Sequence, residues 1–203
     1  MPSTNQNKPY QLPADQCSWR DWHIPLWCDK FTLREALNSA DHMAADQADV
    51  PLIIKLVENP GFDIPGITIF NGAVDLHSHD CIHVLLGRGL LPHDEAFTIG
   101  FTMGSSNRVT TAEMKLYELA AKHLYPGPYK FDDDDIQVFK DGVHLGYVSD
   151  CIPLDKINYQ EVLELTIGEA REQLCIETEL LAAYYQIEKA RYPEDPASRR
   201  ISP

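Results

Sequence analysis

The chain has 203 residues, of which 44% are hydrophobic, so it is long enough to form one globular domain with a substantial core. Its formal net charge is −14 and it has no basic patch, which argues against binding to a nucleic acid. No apolar run reaches the ~20 residues that cross a bilayer and residues 1–16 lack the features of a signal or transit peptide, so we expect a cytoplasmic protein whose contact with the inner membrane is at most peripheral.

The first predicted elements are a polar N-terminal arm over residues 1–29 and the helix that follows it. The arm carries three tryptophans, and we expect it to pack on the domain rather than to fold alone. Thr32 and Glu35 have the spacing of a capping box, and apolar residues follow at helical spacing. This pattern predicts a helix that runs to about residue 46.

Further helices are predicted along the rest of the chain, because apolar residues recur at helical spacing and strand-like alternation is scarce. In chain order they cover about residues 51–58, 71–86, 92–104, 111–124, 133–139, 159–165 and 170–187. Gly87 should end the helix before it, and Gly100 and Gly104 suggest close contact with another helix. Residues 193–203 are expected to be disordered. The fold class is therefore all-α, a single-domain multi-helix bundle over residues 30–192.

Several other polar groups are poor candidates for sites. The five cysteines are widely spaced and include no Cys-x-x-Cys, so we expect reduced and mostly buried thiols. The aspartate run at residues 132–135 lacks the ligand spacing and the glycine of an EF-hand, although carboxylates there suit a helix N-terminus. His123 and His144 have no aspartate beside them, and we expect both at the surface.

Residues 77–95, HSHDCIHVLLGRGLLPHDE, hold four of the chain's eight histidines. At ~100° per residue, His83 lies about 40° and Asp80 about 100° round a helix from His79. The glycines that follow let the chain reverse, so that Glu95 falls in the first turn of the returning helix. Two imidazoles and two carboxylates suit Zn²⁺ first, with Mg²⁺ or Fe²⁺ as alternatives. We therefore predict a divalent-metal site formed by His79, Asp80, His83 and Glu95.

The full pattern resembles the motif of a known family. His79-Asp80, two residues, His83, eleven residues and Glu95 match the HDxxH-x11-E motif of the coenzyme Q biosynthesis family usually called ubiquinone biosynthesis protein four. The text HVLLGRG and residues 158–177 are also similar to that family, and the likeness spans roughly residues 48–187. The chain departs from the family's usual text at residues 74–78, at Ile82 and at Asp94.

That resemblance implies an all-α protein whose metal site lies beside an apolar cavity for an isoprenoid lipid. It also implies a lyase of ubiquinone synthesis, which removes the C1 carboxylate of a prenylated hydroxybenzoate oxidatively, and contacts with other quinone-biosynthesis proteins. We further expect a homo-oligomer. Apolar residues that flank the ligands on the two helices are the candidate walls of the cavity: Val84, Leu85, Leu86, Phe97, Ile99, Phe101 and Met103.

Three functions stay open at this point. A metal-dependent enzyme of prenylquinone biosynthesis needs the four ligands. A non-catalytic isoprenoid-binding scaffold needs only the cavity and surfaces for partner enzymes. A metal phosphohydrolase would need additional histidine and aspartate ligands from distant helices.

Overall fold

The structure is a computed structural model that describes residues 10–13, 17–40, 74, 76–107, 109–111, 114–115 and 131–201. Helices dominate these residues and no β-strand is found among them, which confirms the predicted all-α class. The helices are α1 (Leu33–Asn38), α2 (Leu76–Leu86), α3 (Pro92–Ser105), α4 (Asp133–Val148), α5 (Ile167–Gln173), α6 (Thr178–Arg191) and α7 (Pro196–Arg200). The helix predicted at 51–58 lies outside the described residues, as does most of the one predicted at 111–124.

The first helix, α1, begins where its capping box predicts but ends early. Thr32 Oγ1 accepts a hydrogen bond from the N–H of Glu35 at 3.1 Å, and the Glu35 carboxylate accepts one from the N–H of Thr32 at 2.9 Å. The helix ends at Asn38, well before residue 46. The Ser39 hydroxyl donates to a carbonyl of the last turn and accepts from the indole N–H of Trp22, so this side chain competes with further helical bonds.

The N-terminal arm packs into the same core as the helices. Its buried side chains are Trp22, Ile24, Leu26 and Cys28. An isolated β-bridge joins His23 to Gly89, and the His23 Nε2 lies 3.0 Å from the carbonyl oxygen of Gly87. The arm therefore holds the turn that follows α2.

The end of α2 is fixed from two sides. Gly87 adopts a φ of +68°, and a Cβ there would lie 2.7 Å from backbone atoms of Leu26, so the predicted glycine stop is confirmed and the turn excludes larger residues. The buried guanidinium of Arg171 donates to the carbonyl oxygens of Leu85 at 2.8 Å and Val84 at 3.2 Å. A cation at this position also complements the helix dipole.

Helices α3 and α4 pack backbone against backbone through two pairs of glycines. Gly100 and Gly104 lie on α3, and Gly142 and Gly146 lie on α4. A Cβ on Gly142 would lie 2.7 Å from the carbonyl oxygen of Phe97, and a Cβ on each of the other three would lie even closer to a backbone carbonyl of the facing helix. The close helix contact predicted from the α3 glycines is therefore confirmed.

The C-terminal third is interrupted more often than its apolar spacing predicts. The helix expected at 159–165 is a single 3₁₀ turn, Tyr159–Glu161, and the helix expected at 170–187 is split into α5 and α6. Cys175, with φ +55°, ends α5 in a Schellman motif. The N–H of Ile176 donates to the carbonyl of Arg171, and the N–H of Cys175 donates to that of Glu172. The spacing of apolar residues does not reveal this stop. The usual sequence signal, a glycine at the left-handed position, is also missing because Cys175 occupies that position.

The expectation of a disordered C-terminal tail is wrong for residues 193–201. Asp195 accepts a hydrogen bond from the N–H of Ser198 at 2.8 Å and caps α7, which begins at Pro196. Ala197, Ser198 and Ile201 are buried in the core. The tail is polar, which favours the prediction of disorder, but Asp195 and Pro196 have the residue types that begin a helix.

The five cysteines are free, and Cys28, Cys81 and Cys151 are buried, which agrees with the expectation of reduced thiols. Among the helices of the described residues, none is both long enough and apolar enough to cross a membrane.

Candidate metal centre

Two histidines on α2 and one glutamate on α3 form the centre. His79 and His83 are one helical turn apart, and their rings stack edge to face with centroids 4.5 Å apart. Gly87 and the turn after it reverse the chain, and Pro92 starts α3 so that Glu95 falls in its first turn. The predicted helical phase and chain reversal therefore bring these three side chains together.

The distances within this group suit a shared cation. Glu95 Oε2 lies 3.4 Å from the Nε2 of His79 and 3.4 Å from the Nε2 of His83. Two ligand atoms bound to Zn²⁺ at ~2.0 to 2.1 Å in tetrahedral geometry are themselves about 3.3 Å apart. The spacing is therefore close to that of ligands around one ion.

Burial strengthens this interpretation. The side chain of His83 is fully buried, and those of His79 and Glu95 are 12% and 17% exposed. Among the buried polar atoms of the described residues that lack a hydrogen-bond partner are His83 Nε2, Glu95 Oε2 and His79 Nδ1. Buried polar atoms are nearly always paired, and a divalent ion between His83 and Glu95 would satisfy the first two.

The charges of the group are coupled. Burial lowers the pKa of His79 to about 4, although the Glu95 carboxylate opposes that shift. Burial also acts to lower the pKa of His83, but the Glu95 carboxylate, helped by Asp80, outweighs it and the pKa is raised. The pKa of Glu95 is lowered, since the two imidazoles outweigh its burial. These shifts favour an ionised Glu95 beside a neutral His79 and make His83 the easier of the two rings to protonate, so an ion that binds His83 competes with a proton there.

Asp80 stands apart from the three converging side chains. The ligand atoms of His79, His83 and Glu95 all lie within 4.8 Å of one another, and Asp80 does not belong to that group. Its position on α2, about 60° round the helix from His83, places it at the flank of the ligand face. Its role as a fourth ligand stays a prediction.

Thr98 is a neighbour that the motif does not reveal. Its Oγ1 lies 3.4 Å from the Nδ1 of His83, and the side chain is fully buried. A group that contacts the second ring nitrogen of a histidine fixes the orientation of the ring and leaves Nε2 for a ligand. Thr98 lies three residues after Glu95 on α3, so the two share one face of the helix. This spacing is the one signal in the sequence that could have placed Thr98 beside the site.

The residues predicted to line a lipid cavity belong to the buried core. Their exposed fractions range from 0% for Val84, Leu85, Leu86 and Phe97 to 8% for Ile99. A cavity of about 250 Å³ lies elsewhere and is lined by Leu26, Trp27, Asp29, Thr178, Glu179, Ala182, Tyr185 and Ile201. A lipid cavity beside the metal centre therefore stays a prediction.

A buried charge network lies next to Glu95 in the chain. Asp94 Oδ2 accepts from Arg200 at 2.6 Å, and its Oδ1 is 3.9 Å from Arg88. Arg88 also donates two hydrogen bonds to Glu188, at 2.9 and 2.6 Å, and its fully buried guanidinium packs against the rings of Phe97 and Tyr185. This network joins the turn after α2 to α3, α6 and α7.

Comparisons with family models, with curated proteins and with solved structures give no match to this chain.

Proposed function

We propose that the chain is a metal-dependent protein of prenylquinone biosynthesis that binds Zn²⁺ through His79, His83 and Glu95. This proposal rests on two imidazole nitrogens that each lie 3.4 Å from one carboxylate oxygen. His83 Nε2 and Glu95 Oε2 are buried and have no hydrogen-bond partner among the described residues. Mixed nitrogen and oxygen donors support Zn²⁺ over Ca²⁺ or Mg²⁺. The spacing of these residues, with Asp80, supports the link to quinone synthesis.

The proposed reaction replaces the C1 carboxylate of a prenylated hydroxybenzoate by a hydroxyl group: the carboxylate leaves as carbon dioxide, water supplies the oxygen, and two electrons pass to an external two-electron acceptor. A bound Zn²⁺ would act as a Lewis acid that stabilises negative charge as carbon dioxide leaves. Glu95 and the two histidines would hold the ion. Thr98 fixes the ring of His83, and three protein ligands leave a coordination position for an oxygen of the substrate.

The test is Glu95→Gln, which keeps the size of the side chain and removes one ligand charge. We expect the variant to lose the zinc held at this centre and to fail to restore quinone synthesis in a strain that lacks this protein, while the melting temperature of the metal-free protein changes little. Glu172→Gln, an exposed position on α5, is the control and should behave as wild type. Mass spectrometry of accumulated intermediates would identify the substrate.

Other outcomes are equally informative. A variant that loses zinc but restores quinone synthesis would support the non-catalytic scaffold instead. A marked loss of stability that parallels the loss of zinc would make the metal structural. Retention of both zinc and activity would refute the proposed site.

A further inference from the structure

A second group of ligand-type side chains lies where the N-termini of α3 and α4 meet. It consists of His93, in the first turn of α3, and of Asp132 and Asp135, which begin α4. One ligand atom from each of the three lies within 4.8 Å of the others. The motif at residues 79–95 does not account for this group.

The histidine of this group is held by one nitrogen and offers the other. Its side chain is 5% exposed, and Nδ1 lies 3.2 Å from Asp195 Oδ1 and 2.8 Å from Ser198 Oγ. Nε2 points to Asp135 Oδ1 at 3.6 Å, which is too long for a hydrogen bond, and no hydrogen bond from the described residues reaches it. A ring fixed by a carboxylate on one nitrogen, with the other directed at acidic side chains, is the usual arrangement of a metal-binding histidine.

The two aspartates are also pre-positioned. Asp132 Oδ1 accepts from the N–H groups of Asp134 and Asp135, at 2.8 and 2.9 Å, and Asp135 Oδ2 accepts from the N–H of Asp132 at 2.8 Å. This reciprocal capping uses one oxygen of each carboxylate. The other oxygens, Asp132 Oδ2 and Asp135 Oδ1, take no hydrogen bond from the described residues and are left for a ligand. Asp132 is exposed, so an ion can enter from solvent.

We propose that His93, Asp132 and Asp135 form a second site for a divalent transition-metal ion, Zn²⁺ or Mn²⁺, separate from the centre at Glu95. One imidazole and two carboxylates suit these ions, whereas Ca²⁺ and Mg²⁺ prefer shells made of oxygen alone. The ion would link α3 to α4 and, through the contact between His93 and Asp195, to the segment that starts α7. Its role is therefore to fasten the C-terminal helix to the core.

The test counts metal equivalents in the full-length protein. Protein stripped with a chelator is titrated with Zn²⁺, and in parallel with Mn²⁺, by isothermal titration calorimetry. We expect wild type to bind two equivalents of at least one of these ions, Asp132→Asn to bind one, and Glu95→Gln to bind one. Asn also caps helices, so Asp132→Asn keeps α4 intact, and Asp134→Asn is the control from the same acidic run that should still bind two.

A second measurement separates this site from the first. In the Glu95→Gln background, the same ion should raise the melting temperature, and the added change Asp132→Asn or Asp135→Asn should abolish that rise. Loss of metal in Glu95→Gln without any change in Asp132→Asn would overturn the second site and leave the first intact. The reverse result would refute the zinc site of the proposed function and keep this one.

Discussion

Asp94 and Glu95 are adjacent carboxylates on α3, yet they are stabilised in different ways. Burial acts to raise the pKa of both, and nearby basic side chains outweigh burial and lower it in both cases. The cations beside Asp94 are Arg200 and Arg88, which stay charged at every physiological pH. The groups that oppose burial at Glu95 are the imidazoles of His83 and His79, which are cations only when protonated.

This difference decides which of the two carboxylates could share a metal ion with its neighbours. Arginine has no lone pair to give to a metal, so the network around Asp94 has no position for an ion. A neutral imidazole has such a lone pair, so a metal ion can replace the proton beside Glu95. The type of cation next to a buried carboxylate, rather than its burial, therefore indicates whether it serves folding or binding.

The largest effect on stability should come from removing one of the arginines in the network around Asp94. Arg88→Met leaves the buried carboxylate of Glu188 without its cationic partner, so we expect a loss of about 3 to 5 kcal/mol in the free energy of unfolding. Arg34→Met, which breaks an ion pair with Glu164 whose side chains are 48% and 73% exposed, should cost less than ~1 kcal/mol. Urea denaturation measures both. Equal losses in the two variants would mean that burial does not increase the contribution of the Arg88 network to the free energy of unfolding.

An intermediate effect should come from Zn²⁺ binding at the two imidazoles beside Glu95. The Asp132→Asn variant isolates the centre at Glu95, and Zn²⁺ at 100 times its Kd should stabilise that variant by ~2.7 kcal/mol. Adding Glu95→Gln should remove most of this gain, because one of the three ligands is lost. Thermal unfolding with and without Zn²⁺ is the measurement. A gain that survives in the double variant would show that Glu95 is not a ligand.

The smallest effect should come from Asp80, at the flank of the site. Its charge contributes to the raised pKa of His83, but it does not belong to the group of converging atoms. We therefore expect Asp80→Asn to weaken Zn²⁺ binding by about 10-fold, as changes around metal ligands do, and less than Glu95→Gln does. Competition with a chromogenic chelator gives both affinities. Equal losses would make Asp80 a direct ligand, as the family motif implies.

Local patterns predicted the fold well where each element carries its own start or stop. The capping box at Thr32, the glycine stop at Gly87 and the proline start at Pro92 all lie where the sequence places them. Patterns failed where long-range contacts decide the outcome. Ser39 ends α1 partly through its bond to Trp22, and α7 folds because the core buries its apolar residues.

The site was predictable to the extent that it lies within one stretch of the chain. Helical phase and a short reversal suffice to bring His79, His83 and Glu95 together. The network of Arg88 was not predictable, because Glu188 is 100 residues away in the chain. The environment of His93 was missed for the same reason, since Asp195 and Asp132 come from distant segments that meet only in the folded protein.

The glycine contacts between α3 and α4 constrain motion in this protein. With carbonyl oxygens seated where Cβ atoms would otherwise be, neither helix can slide or rotate against the other without backbone atoms colliding. Helices that shift during function usually do so over side chains that can change rotamer, and this interface offers none at its closest points. Glu95 is therefore carried on a rigid pair of helices. A sliding of α3 against α4 is therefore not a route by which a ligand could reach the group of His79, His83 and Glu95, and a displacement of α2 against this pair is the alternative within the described residues.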